Sequence, residues 1–303
     1  MRRSSVPADE AIVLPGVVEA LATTKAMVAR SVASLSAADP GWFGPGSVSW
    51  RIFSHASYGA SGVAAVLVQA LHPVAMAAVD AHSAFRSDAW RRAHMTADYV
   101  FTITFSSRPV AEAAAAKVRA IHERVAGVEP ESGRSYRADD PDLLLWIHCV
   151  HTEYALRGHE ALAGPLPEGD PDRFVAEQVE AARLVGLEPA AVPASRAELE
   201  RLLDSVEGLR ASEPALRFAR MLLGARMPAT MRPFYALHLA AAATLLPEDV
   251  RRTYGLTGRP LGRIGRAAFR AIDAGYLLFR PVRKARATLR RVGREAAAAR
   301  AGG

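Results

Sequence analysis

Residues 52–79 read IFSHASYGASGVAAVLVQALHPVAMAAV, 28 residues without an Asp, Glu, Lys or Arg. How this stretch is read decides the fold. A helix that spans a bilayer needs about 20 apolar residues, and the length is present. The composition argues the other way. His55, Gln69 and His72 interrupt the run, Pro73 stands inside it, and much of the rest is Ala, Gly and Ser. Proline inside a helix removes a hydrogen bond and clashes with the preceding turn. A helix over about 58–72 is therefore kinked at Pro73, or a new helix starts there. The expectation is a helix buried in the core of a large globular protein, with a membrane span as the alternative.

Outward from this stretch the pattern stays helical. The chain has 303 residues, 50% hydrophobic and 23% charged, enough to bury a large core and too apolar to be disordered as a whole. Helices are expected over 15–37, from Asp88 to Phe105, and from Pro109 to a closing Gly127. Further ones run from Asp140-Pro141 to about Arg157 and from Asp170-Pro171 to Gly186. Ser195-Arg196-Ala197-Glu198 reads as a capping box. Later helices fall at about 212–223, 231–244, 247–254, 262–279 and 282–300. Residues 41–50 and 128–138 read as loops, and no alternating strand pattern stands out. The expected fold class is all-α: one large helical domain over 1–258 and a basic amphipathic helical extension over 259–303.

Charge divides the same way. Residues 259–303 hold twelve Lys/Arg and two Asp/Glu, a net of +10, and the remaining 258 residues are net −3 within a total of +7. A basic amphipathic helix can lie on an anionic bilayer, although a solvated helix packed on the core explains the same pattern. Aromatic residues for base stacking are lacking beyond Phe279, so nucleic acid is not an expected partner. Met1-Arg2-Arg3 is followed by Asp9 and Glu10 before any apolar run, so no secretory leader is expected. The expected location is cytoplasmic, with peripheral membrane contact through the extension. Nothing in the sequence sets the oligomeric state.

Known constellations are missing: there is no G-x-G-x-x-G, P-loop, G-x-S-x-G or H-E-x-x-H. None of the nine His has Glu three residues before it, which argues against a ferritin-like di-iron site. The lone Cys149 excludes a disulfide framework, a Cys-only zinc site and c-type haem attachment. What remains is polar groups on apolar helix faces. Val118, His122 and Val125 share one face, so His122 is either a core histidine or a ligand to iron or zinc. Arg92, Thr96, Val100 and Ile103 form a second stripe. A guanidinium there needs a carboxylate, from Asp80, from Glu123 or from a bound cofactor. His148 and His151 stand at i, i+3, a spacing that can chelate zinc. Cys149 is either a thiolate ligand or an inert small hydrophobe. His72 and His82 either line a pocket or cap helix ends.

Taken in order, five segments carry a resemblance. They are Val66-Leu67-Val68-Gln69-Ala70-Leu71-His72-Pro73, His82-Ser83-Ala84-Phe85, Arg92-x-x-x-Thr96, Val118-Arg119-x-x-His122-x-x-Val125-x-Gly127, and Tyr136-Arg137-Ala138-x-Asp140-Pro141-x-Leu143-Leu144-x-Trp146-x-His148. Over about 45–250 the chain resembles the catalytic domain shared by latex-clearing proteins (rubber oxygenases) and the MpaB-type oxygenases of fungal meroterpenoid pathways. The resemblance implies a globin-like helical core that holds b-type haem non-covalently. It also implies O₂ as co-substrate and a small hydrophobic, isoprenoid or alkene substrate cleaved at a C=C bond. It places His122 as the axial iron ligand and Arg92 with Thr96 on the distal side. Rubber-cleaving members can carry a Lys directly before that Thr; here Met95 stands there, at most a weak thioether ligand. The carboxylate base of rubber cleavage has Asp80 as its nearest counterpart. A peroxidase-like or hydroxylating haem enzyme, or a non-enzymatic haem or lipid carrier, are the alternatives. His94 is a further distal candidate.

Overall fold

The computed structural model describes residues 31–36, 38–82, 89–224 and 232–257, with a few single positions beyond 258, and only the backbone of 89–94, 233 and 234. The expected helix over 15–30, the helices over 262–279 and 282–300, and the side chains of Arg92 and His94 lie outside the described residues.

Proline geometry settles the uncharged stretch. It folds as two helices, α2 (Ser57–Gln69) and α3 (Pro73–His82), bent by 106° at the break between them. Pro73 sits at the start of α3, where its missing N–H costs nothing. His72 caps that start, its Nδ1 accepting from the Ala75 N–H at 3.3 Å. Among the described residues, no single helix is long and apolar enough to cross a membrane.

Before α2 stands α1 (Val48–Phe53). After α3 come α4 (Ala89–Phe105), α5 (Arg108–His122), the antiparallel strands β1 (Ala126–Val128) and β2 (Ser135–Arg137), and α6 (Pro141–Ala163). Then follow α7 (Asp170–Val185), α8 (Arg196–Ser205), α9 (Glu213–Leu223), α10 (Arg232–Leu245) and α11 (Glu248–Thr253). The fold is all-α, and the two-stranded ribbon is the one sheet among the described residues.

The core forms where α2 packs against α6 and α10. Ala60, Ala64, Ala65 and Leu67 of α2 are buried against Val150 and Tyr154 of α6 and Ala241 and Leu245 of α10. The approach of α2 to α6 is very close. A Cβ on Gly158 would fall 1.9 Å from Ser61 Oγ, so only glycine fits there. The last carbonyls of α2, which a helix leaves without partners, are all collected. Trp146 Nε1 donates to Gln69 O at 3.2 Å, Tyr254 Oη to Leu67 O at 2.8 Å, and the Arg210 N–H to Leu71 O at 2.8 Å. Gln69 Nε2 in turn donates to Ile147 O at 2.8 Å.

Four elements depart from the sequence expectation. Residues 48–53 are helical, not loop, because a distant carboxylate stabilises them: Glu177 of α7 accepts from the Val48 and Ser49 N–H groups at 3.1 and 2.7 Å. α5 stops at His122, five residues short of Gly127, so Val125 shares no helix face with His122. Gly127 is needed for another reason. A Cβ there would lie 2.5 Å from the Tyr136 hydroxyl, which covers it across the ribbon. The ribbon itself occupies the segment read as a loop, its turn held by the Glu129 carboxylate on the Glu131 and Ser132 N–H groups at 2.9 and 2.8 Å. α6 continues to Ala163, past Arg157, since Gly158 serves close packing instead of ending the helix.

Candidate active site

Several chain ends meet at one edge of the molecule. α3 packs against both strands of the ribbon. Its last residue, His82, stands edge-on to Tyr136 with ring centroids 6.3 Å apart. β1 follows α5 after residues 123–125, so His122 lies at the entrance to the ribbon. α4 and α5 pack on each other across a two-residue break at 106–107. Arg92 is 13 residues back from the end of α4 and His122 is 14 residues on from the start of α5. At about 1.5 Å per residue, both stand roughly 20 Å along their helices from that break. They occupy the same far end of the helix pair.

The α4 stripe runs from core to edge. Ile103 and Val100 are buried, and Thr96 is exposed. Met95 beside it is 51% exposed, as are Ile121 at 52% and Val128 at 58% on the end of α5 and on β1. Large apolar side chains are thus left open along the segments next to His122. His122 itself is half-buried. Close to it lies an ion pair the motifs did not announce: Arg137 Nε and Nη2 donate to Asp139 at 2.9 and 2.7 Å. The Arg137 hydrogen bond is the main reason the Asp139 carboxyl sits below its ordinary value, and the charge of His122 adds to it. Asp80, on α3, is half-buried and accepts from Arg217 Nη2 of α9 at 2.9 Å.

The other polar candidates are placed by burial. His151 Nε2 meets the Tyr58 hydroxyl at 2.9 Å, and its ring stacks on Phe53 with centroids 5.6 Å apart. The Thr152 hydroxyl donates to His148 O at 2.9 Å, and Thr152 Oγ1 lies 3.5 Å from His148 Nε2. Burial lowers His148 to about 3 and His151 to about 4, with repulsion from His151 adding at His148. Both are neutral core histidines. Burial also pushes the Cys149 thiol up to about 12, so it is no thiolate ligand at neutral pH.

Whether a haem fits can be asked of the donors present. Among the described residues, no group of three or more His, Cys, Asp or Glu is placed to hold a bare metal ion. A metal that carries its own macrocycle asks less of the protein: one axial imidazole, apolar side chains for the ring faces, and cations or hydroxyls for its polar edge. His122 supplies the imidazole at a helix end. Met95, Ile121 and Val128 supply uncovered apolar surface. Asp139 lies near enough to polarise the imidazole, as carboxylates beside ligating histidines do. The residues present fit the group.

Sequence motifs found Arg92, Met95, Thr96 and His122, and the fold gathers them on one helix pair. They missed Asp139, whose i, i+2 spacing from Arg137 was the available signal. Asp80 stands on the neighbouring α3, tied to α9. A protein-family model described as "ER-bound oxygenase mpaB/B'/Rubber oxygenase, catalytic domain" matches residues 50–275. Neither a curated protein nor a solved structure matches the chain.

Proposed function

The chain belongs to the family of the MpaB and rubber oxygenase catalytic domain, a family of oxygenases, and we propose that it works as a haem b-dependent oxygenase on a small hydrophobic substrate. The observation that carries the reading is the position of His122, at the end of α5 among uncovered apolar side chains, on the helix pair that also carries Arg92 and Thr96. When bound, haem supplies a redox-active iron that activates O₂; oxidative cleavage of a C=C bond in an isoprenoid or alkene is the reaction proposed.

The residues of this chain hold and orient. His122 provides the axial nitrogen, made more basic by the nearby Asp139 carboxylate. Arg92 provides a permanent cation and Thr96 a hydroxyl for negative charge developing on oxygen. Such donors are worth most where water is excluded. Met95 offers an apolar flank where a Lys would offer a competing ligand. Asp80, fixed by Arg217 at 2.9 Å, is the candidate proton acceptor.

The test is an absorption spectrum of the purified protein after expression with a haem precursor, oxidised and dithionite-reduced. A Soret band that shifts on reduction, at about one b-type haem per chain, is expected. His122→Ala should lose it, while Asp139→Asn should keep the haem and shift its reduction potential. Full haem occupancy in His122→Ala would remove the axial assignment. Turnover under ¹⁸O₂ then separates cleavage from hydroxylation or peroxidation, since cleavage leaves label on carbonyl products.

A further inference from the structure

A second cavity shares no residue with the His122 edge. It is a cleft of about 610 Å³ between the end of α2, the middle of α6, α8 and α11. The volume lies in the range of small-molecule sites. Its floor is apolar, with Val68, Leu71, Trp146, Val150, Leu203 and Val250. Its polar groups are mainly acidic. Glu153, Glu200, Asp204 and Asp249 line it, against two cations, Arg157 and Arg210.

The partners of these charges leave a net negative site. Arg210 donates to Glu131 at 3.0 Å, a residue outside the cleft, and Glu200 accepts from Arg196 at 3.0 Å, also outside. Arg157 reaches Glu153 through Nε alone, at 3.0 Å to Oε1. Glu153 is the unusual member. Its side chain is 7% exposed, and its Oε2 is buried with no hydrogen-bond partner. A buried carboxylate oxygen is ordinarily satisfied. Here the open oxygen lies at the floor of a cleft, beneath an Arg157 side chain that is 44% exposed and can swing away. Asp204 and Asp249 are both exposed at the same cleft.

We propose that this cleft binds an organic ammonium ion with an apolar body, the charged head at Glu153, Asp204 and Asp249 and the body over Trp146 and Val150. A metal ion is the poorer match, since the carboxylates form no cluster placed to ligate one. An aromatic floor beside carboxylates suits a cation whose other end is apolar.

Titration calorimetry of the full chain with n-hexylammonium tests it, with hexanol and hexanoate as isosteric controls. One site per chain is expected, at least tenfold tighter than hexanol, with no detectable hexanoate binding. Asp204→Asn with Asp249→Asn, both at exposed positions that do not threaten folding, should weaken hexylammonium about tenfold, and Glu153→Gln should weaken it further. Equal affinity for hexanol, or hexylammonium affinity unchanged in the Asp204→Asn/Asp249→Asn chain, overturns the proposal. The Soret band of the same samples is followed during titration. A shift of that band, with affinity indifferent to the cleft variants, would place the amine at the His122 edge and overturn the proposal without touching the haem reading.

Discussion

At the scale of the residue, Gly158 shows how little room the core leaves. A methyl group there would overlap Ser61 Oγ at 1.9 Å and press on Ser61 Cβ at 3.0 Å and Leu245 Cδ1 at 3.2 Å. Two packed helices cannot separate locally without opening the contacts on either side of the crossing. Gly158→Ala is therefore expected to destabilise the protein by about 1–3 kcal/mol, the usual cost of overpacking, read as a lower urea midpoint. Ser61→Gly in the same chain removes both of the nearer overlaps and should recover most of that loss. Independent, additive effects of the two substitutions would mean the helices do not meet as described.

Helix ends are held by groups far away in sequence. α2 ends at Pro73's break with its carbonyls turned toward other elements, and α11 supplies one of the missing donors through Tyr254. Tyr254→Phe keeps the ring and leaves Leu67 O without that donor. A loss of about 1–3 kcal/mol is expected, the cost of an unmet buried acceptor. At the other end of the same segment, α1 depends on Glu177, which meets two of its free N–H groups. Glu177→Ala should fray α1 and speed amide exchange at Val48 and Ser49 by at least tenfold. Glu177→Gln, which keeps an acceptor, should fray it less. Equal exchange in all three proteins would dismiss the carboxylate as the cap.

For the whole molecule, the buried histidines set a pH dependence. Burial is the first cause of the lowering at each: His148 to about 3, with His151 adding, and His151 and His159 to about 4, the latter with help from His55. The folded chain holds these rings neutral, and the unfolded chain protonates them near pH 6.5. Stability is therefore full above about pH 6.5 and falls as pH drops toward the folded values near 4 and 3. Each proton taken up on unfolding contributes about 1.4 kcal/mol per pH unit. Calorimetric unfolding at pH 5 in buffers of different ionisation enthalpy should show an uptake approaching three protons. No uptake would mean the histidines are charged or exposed in the fold.

The sequence by itself determined the fold class, the positions of most helices and the segments that carry the family resemblance. Those depend on local signals: apolar period, Asp-Pro and Ser caps, and the absence of strand alternation over 52–79. It placed Pro73 at a break because proline's constraint is its own. It also named His122, Arg92 and Thr96, which the family match over 50–275 is consistent with. Tertiary structure alone decided what depends on contacts between distant residues. Residues 48–53 become a helix only because Glu177 arrives from α7. Gly158 passes through a helix it was expected to end, because Ser61 stands against it. His148 and His151 turn out to be neutral core groups because α2 and α6 bury them, and spacing cannot report burial. Glu153 reads in sequence as one more helical carboxylate. Only the fold buries it beside a cleft with one oxygen left unmet.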